Sequence, residues 1–227
     1  GRAAVVCRDH DGQTPLHYAV RNRAVDTLTV LLTYFRDEPA SLISLFDSLG
    51  RTVLHELALH VDPVDTAMVT ALLDIFARAP AIRGEFLAAV DSDGRSAIWL
   101  ASAMGGAATV KVMLESCSAD DRAAILAARD FLGRTPLHAA ALGHASKARR
   151  ALLAAGASED VLDVFSATPA EAARMHEEAG TIWIPLLGDG ASSAAMPGGT
   201  LAVPYAGSGG SSVSSGGSTS SMRIETE

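Results

Sequence analysis

Apolar residues in this chain fall into short blocks at helical spacing, separated by polar turns. In one block, Leu137, Ala140 and Ala141 predict a short helix with a small-residue face. A second block follows after a Gly-His turn and carries Leu152 and Leu153. The pattern therefore predicts a pair of short helices joined by a turn.

This helix pair belongs to a unit that recurs along the chain. Its copies read DHDGQTPLHYA, DSLGRTVLHELA, DSDGRSAIWLA, DFLGRTPLHAA and, in degraded form, DVFSATPAEAA. The marker hydroxyl residues are separated by 38, 44, 39 and 33 positions, and they are Thr14, Thr52, Ser96, Thr135 and Thr168. Isolated helices shorter than about 12–15 residues are marginal in water, so stacking of the units into a solenoid is expected.

Each part of the unit has a chemical reason for its place. The Asp and Gly of Asp130–Gly133 favour a turn, because the carboxylate bonds nearby amides and glycine tolerates positive φ. Thr135 is suited to cap the free amides of a helix start, and Pro136 has no amide to leave unpaired. The unit thus predicts turn, helix, turn and helix in that order.

The unit resembles the ankyrin repeat, which has a 33-residue period and a T-P-L-H-x-A signature. The resemblance covers about residues 1–188 and implies an all-α solenoid of about five helix-turn-helix repeats. It also implies that the recurring histidine bonds the cap threonine and the backbone of the adjoining loop. This histidine is found at His17, His55 and His138, whereas Trp99 and Glu171 replace it in two copies.

Long insertions and a biased C-terminus depart from a regular array. The insertions RDEPASLISLF, ARAPAIRGEFLAAV and SADDRAAILAAR follow the second helices, and we expect short extra turns that extend those helices or line the turns between repeats. Residues 188–227 contain nine Gly and ten Ser among forty positions. We therefore expect an ankyrin domain over 1–188 and a flexible Gly/Ser-rich tail over 189–227.

The bulk composition narrows the function classes. A net charge of −8, with 26 acidic against 18 basic residues, argues against a nucleic-acid partner. No apolar run approaches the roughly 18 residues of a membrane span, so no membrane association is expected. Cys7 and Cys117 form no disulfide framework and favour a reducing compartment, cytoplasmic or nuclear. Since the chain starts at Gly1 without an initiator methionine, we expect it to be part of a longer protein.

The candidate catalytic and metal-binding motifs lack the spacing or the ligands that these sites require. In HELALH, His55 and His60 are five positions apart, whereas the zinc-protease motif needs four to bring both imidazoles to one helix face. Asp91 opens a calcium-loop-like DSDGR that lacks the later acidic ligand. We expect no enzyme activity, no metal site and no cofactor.

The expected function is protein binding, by a monomer, through the loop tips and the first helices. Two junctions, LFDSLGRTVLH and LESCSADDRAAILAARDFLGRTPLH, are similar to those of IκB-type inhibitors of Rel/NF-κB factors, and this resemblance implies a Rel-type transcription factor as partner. The alternative is a regulatory array cut from a larger enzyme or signalling protein. The candidate protein-binding residues, expected to be exposed, are His10, Gln13, Tyr18, Ser48, Arg51, Glu56, Ser92, Arg95, Phe131 and Arg134.

Overall fold

The computed structural model describes residues 2–60 and 63–178, and this part of the chain contains helices and no β-strand. The helices in its first half are α1 (Arg2–Val5), α2 (Pro15–Arg21), α3 (Val25–Leu32), α4 (Val53–Ala58), α5 (Pro63–Asp74) and α6 (Pro80–Ala88). Those in its second half are α7 (Ala97–Ala103), α8 (Ala107–Glu115), α9 (Ala119–Ala127), α10 (Pro136–Leu142), α11 (Ser146–Ala154) and α12 (Pro169–Glu178). Two short 3₁₀ helices cover Thr33–Phe35 and Pro39–Leu42.

The helices pack in rows, as a repeat array requires. The inner row consists of the first helices of successive repeats, in the order α2, α4, α7, α10 and α12, each packed on the next. The second helices α3, α5, α8 and α11 form a parallel row in the same way. The expected all-α ankyrin solenoid is confirmed in the described residues, whereas the predicted tail lies outside them.

The helix starts follow the sequence chemistry. Pro15 and Pro136 occupy the first turn of α2 and α10, directly after the cap residues Thr14 and Thr135. The leucine or isoleucine two residues after each of the first four cap residues is buried in one continuous core: Leu16, Leu54, Ile98 and Leu137.

The insertions differ from the expectation of short extra turns. The first agrees with it in part, because it contains one short turn of 3₁₀ helix, Pro39–Leu42. The second and third instead form separate nine-residue helices, α6 and α9. These pack on each other, and α6 also contacts the 3₁₀ helix Pro39–Leu42, so the insertions form a third row. The helix α6 also packs within its own repeat, where the rings of Phe86 and Phe76 stack with centroids 5.0 Å apart.

Candidate protein-binding face

The loops that open the repeats are called fingers here. They comprise Asp9–Gln13, Asp47–Arg51, Asp91–Arg95, Asp130–Arg134 and Asp163–Ala167. Successive fingers are tied together by backbone hydrogen bonds. The N–H of Ser48 donates to the carbonyl of Asp11 at 2.8 Å, and the N–H of Ser92 donates to that of Leu49 at 2.9 Å. Equivalent bonds begin at Phe131 and Val164, so the finger tips form one ordered row.

The recurring histidine joins each finger to its own helix and to the next finger. His17 Nδ1 accepts the backbone N–H of Thr14 at 3.1 Å, which leaves Nε2 to donate to the carbonyl of Arg51 at 3.2 Å. His55 and His138 repeat this arrangement, with the carbonyls of Arg95 and Ala167 as acceptors. Burial lowers the pKa of each of these histidines. A neutral, buried imidazole is therefore a structural link between repeats.

Two repeats have a different residue at the position of this histidine. In the fifth repeat, Glu171 Oε2 accepts the backbone N–H of Thr168 at 2.9 Å, so a carboxylate takes the place of the histidine Nδ1. In the third repeat, Ser96 Oγ accepts the N–H of Trp99 at 3.3 Å. The Trp99 ring lies 5.4 Å from the guanidinium of Arg134 and thereby contacts the next finger. Each replacement preserves the helix cap.

An aspartate holds the shape of each finger. Asp47 Oδ1 accepts the backbone N–H of Arg51 at 2.9 Å, while its Oδ2 accepts Arg51 Nε at 2.9 Å. The pairs Asp91–Arg95 and Asp130–Arg134 repeat this geometry. The arginine is thus bound within its own finger.

This pairing involves three of the ten candidate residues, Arg51, Arg95 and Arg134. Five candidates are exposed as expected: His10, Tyr18, Ser48, Ser92 and Phe131. The expected exposure is wrong for four others, which are buried, namely Gln13, Arg51, Glu56 and Arg95. The side chain of Arg134 is only 15% exposed. The signal that sequence reasoning missed is the Asp-x-x-x-Arg spacing, which places a carboxylate within reach of each arginine.

Three candidates meet around a residue that sequence reasoning did not select. Arg21 Nε donates to Glu56 at 3.1 Å and its Nη1 donates to Gln13 at 3.0 Å. Its guanidinium lies 5.9 Å from the centroid of the Tyr18 ring. Gln13 and Glu56 are therefore internal to a link between the first two repeats, and Tyr18 remains exposed beside it.

The fingers change in polarity along the row. The second and third positions of the first finger are His10 and Asp11, whereas those of the fourth are Phe131 and Leu132. Phe131 is 75% exposed, the largest value among the exposed large apolar residues of the described chain. The C-terminal finger patch is defined here as five exposed residues: Phe131, Leu132, Leu162, Val164 and Phe165. Sequence reasoning selected only Phe131 of these.

The Phe131 ring rests on the neighbouring finger. A Cβ placed on Gly94 would lie 2.9 Å from Phe131 Cδ1, so glycine at this position leaves room for the ring. Gly94 also has a φ of +78°, which side-chain-bearing residues rarely adopt. The patch is therefore held on an ordered backbone.

Within residues 2–60 and 63–178, no group of three or more His, Cys, Asp and Glu side chains is arranged to hold a metal ion. No helix in this part of the chain is both long and apolar enough to span a bilayer.

The comparisons with known proteins agree with this architecture. Residues 11–40 and 132–164 match the family model of the ankyrin repeat. These two segments are similar to the ankyrin repeat, a module that generally mediates protein–protein interactions. Over 158 residues it is 28% identical to the mouse B-cell lymphoma 3 protein homolog, an alignment that covers 70% of this chain and 32% of that relative. This match supports a weak resemblance to the IκB type of ankyrin protein.

Proposed function

We propose that this chain is a non-enzymatic scaffold that binds a protein partner through its finger tips, with the C-terminal finger patch as the energetic centre. The observation that carries this proposal is the exposure of Phe131 on a finger held by backbone and carboxylate bonds. Aromatic residues supply a large share of binding energy at protein interfaces. Several exposed large apolar residues on two neighbouring fingers also mark an interaction site.

The other candidate residues divide into two roles. His10, Tyr18, Ser48 and Ser92 are exposed along the same face and contact the partner around the patch. The buried or half-buried candidates position the fingers, since their polar atoms are engaged within the array: Gln13, Arg51, Glu56, Arg95 and Arg134. We assign the binding function to residues 1–188, with 189–227 as a Gly/Ser-rich tail outside it.

The finer proposal is an IκB-like inhibitor that binds a Rel-type transcription factor as a monomer in the cytoplasm or nucleus. Two observations support it: the weak similarity to the mouse relative, an IκB-family ankyrin protein, and the two IκB-like repeat junctions. The third insertion, which belongs to one of these junctions, forms α9.

A titration with a purified Rel-homology region tests both levels of this proposal. The full chain should bind the Rel dimer saturably. Replacing Phe131 by Ala should weaken binding by about 5- to 150-fold, corresponding to about 1–3 kcal/mol for an interface anchor. The matched control is Val30→Ala, because Val30 is also exposed but lies on α3 in the second-helix row.

The outcomes separate the two levels. No saturable binding of the Rel region would remove the IκB-like proposal. Binding that is equally strong for the wild-type chain and the Phe131→Ala variant would remove the patch as its centre. Both variants should keep the wild-type melting temperature, so that any loss of affinity reports on the surface.

A further inference from the structure

The row of insertion helices has an internal regularity. Aligning α6 with α9 from their first residues pairs Arg83 with Arg122 and Leu87 with Leu126. In the same register Gly84 corresponds to Ala123. The two helices therefore occupy equivalent places in successive repeats, α6 before α7 and α9 before α10.

The contact between these two helices is close at one point. A Cβ placed on Gly84 would lie 2.8 Å from the carboxylate carbon of Asp121. Asp121 belongs to the first turn of α9 and also accepts the hydroxyl of Ser118 at 2.7 Å. In this contact the first turn of α9 lies against a small residue of α6.

The row ends at α9 because the next repeat has no insertion. The interval from Thr135 to Thr168 is 33 residues, and the chain after α11 passes directly to the fifth finger. A groove of about 360 Å³ remains where a further helix would pack. Its lining includes Arg122, Ala123 and Leu126 from α9 with Ala155 and Val161 on the opposite side.

The charge in this groove specifies its occupant further. Arg122 Nε donates to the carbonyl of Leu114 at 3.1 Å, and no carboxylate of the described residues forms an ion pair with its guanidinium. Arg122 is half-buried beside apolar groove residues. A guanidinium in such surroundings favours a ligand that brings a carboxylate.

We propose that this groove is a second docking site, for a short amphipathic helix of a protein partner. The helix carries a carboxylate in its first turn, which meets Ala123 and Arg122 as Asp121 meets Gly84. It carries an aliphatic pair four and five residues later, as Ile125 and Leu126 follow Asp121 in α9. The argument is continuity with the α6–α9 contact together with charge complementarity at Arg122. This site is separate from the finger face.

The sequence of α9 itself supplies the probe. A fluorescein-labelled peptide with residues 118–129 (SADDRAAILAAR), stapled between the exposed positions of Asp120 and Ala124, should bind the full chain saturably. Replacing Ala123 of the protein by Arg fills the groove and should weaken binding by about tenfold or more. The matched control is Ala124→Arg, since Ala124 is the adjacent exposed residue of α9 outside the groove.

A charge cycle tests the role of Arg122. Arg122→Gln in the protein and Asp121→Asn in the peptide should each weaken binding about three- to tenfold, and the pair should weaken it no more than one change alone. Phe131→Ala should leave peptide binding unchanged, so that failure of this site and failure of the finger face are distinguishable.

Several results would overturn the inference. They are the absence of saturable binding to the full chain, equal losses for the variants at Ala123 and Ala124, and additive effects in the charge cycle. A dimer in sedimentation equilibrium that Ala123→Arg abolishes would assign the groove to a second copy of the chain. Peptide binding that appears only after proteolysis removes the residues beyond Glu178 would assign it to this chain's own C-terminal segment.

Discussion

The aspartate that opens each finger uses both carboxylate oxygens. In the fourth finger, Asp130 Oδ1 accepts the N–H groups of Leu132 and Arg134, and Oδ2 accepts Arg134 Nε at 2.8 Å. The Arg134 guanidinium also contacts the Trp99 ring. The Arg134 side chain therefore stabilises its own finger and the junction with the preceding repeat.

Removing this arginine should lower stability. Arg134→Ala leaves the Asp130 side chain, which is 2% exposed, without its guanidinium partner, so the free energy of unfolding should fall by about 1–3 kcal/mol. Urea unfolding followed by circular dichroism measures this change. Arg150→Ala, at an exposed position of α11, is the control and should have little effect. Unchanged stability together with lost partner binding would instead make Arg134 a direct contact residue.

The two cysteines should differ in reactivity. Cys117 is buried, its thiol donates to the carbonyl of Met113 at 3.1 Å, and burial raises its pKa to about 11. Cys7 is exposed. Because the thiolate is the reactive form, a disulfide reagent at pH 8 should modify one thiol rapidly and the second only after denaturation. Cys7→Ser should abolish the rapid phase; rapid reaction of both thiols in the wild-type chain would contradict the burial of Cys117.

At the scale of elements, the inner helices approach one another closely because their facing residues are small. Ala139 and Ala140 of α10 are buried, and Gly143 ends this helix against α7. Small residues at these positions allow backbones to come together that larger side chains would hold apart. Gly84 of α6 also leaves room for a neighbour, but that neighbour is the side-chain carboxylate of Asp121.

A single methyl group tests this close packing. In Gly143→Ala the new Cβ would collide with the carbonyl oxygen of Ala103, so the free energy of unfolding should fall by about 1–3 kcal/mol or more. Gly84→Ala is the matched control, because its methyl group meets a carboxylate that can rotate away. Thermal unfolding of both variants should show a clearly larger loss for Gly143→Ala. Equal melting temperatures would mean that α7 and α10 can separate at no cost.

For the whole molecule, three neutral histidines link successive repeats, which makes stability depend on pH. Burial lowers the pKa of His55 from its ordinary value of 6.5 to about 4, and it lowers the pKa of His17 and His138 in the same direction. The unfolded chain therefore binds more protons than the folded chain as pH falls below 6.5. The stability that these neutral histidines contribute is fully present above pH 6.5 and is lost progressively as the pH falls toward 4.

Urea titrations between pH 7.5 and pH 4.5 measure this loss. The contribution of His55 alone is on the order of 3 kcal/mol, because one pKa unit corresponds to about 1.4 kcal/mol. His55→Gln removes the group whose pKa is lowered to about 4 and should make the pH dependence of unfolding shallower. A free energy of unfolding that is constant across this range would contradict neutral, buried histidines.

The local chemistry of the repeats could be predicted from the sequence. Three features depend on neighbouring residues only: the turn at Asp130 and Gly133, the cap at Thr135 and the helix start at Pro136. Residues adjacent in sequence are therefore enough to identify them. The histidine link also followed, because the repeat resembles a family in which that residue has a known structural place.

Only the tertiary structure decided which of these residues are exposed. The Asp partners of Arg51 and Arg95 lie four positions away in sequence, but burial of these arginines also depends on neighbouring repeats about 40 positions away. The third row arises because α6 and α9 can cover each other's apolar residues, a contact that periodicity within either segment does not reveal. The C-terminal finger patch likewise exists because the fingers stack in order and bring Phe131 and Val164 onto one surface. Caps and turns depend on interactions between residues close in sequence, so the sequence determines them. The exposure of a side chain depends on packing between elements far apart in sequence, so only the tertiary structure decides it.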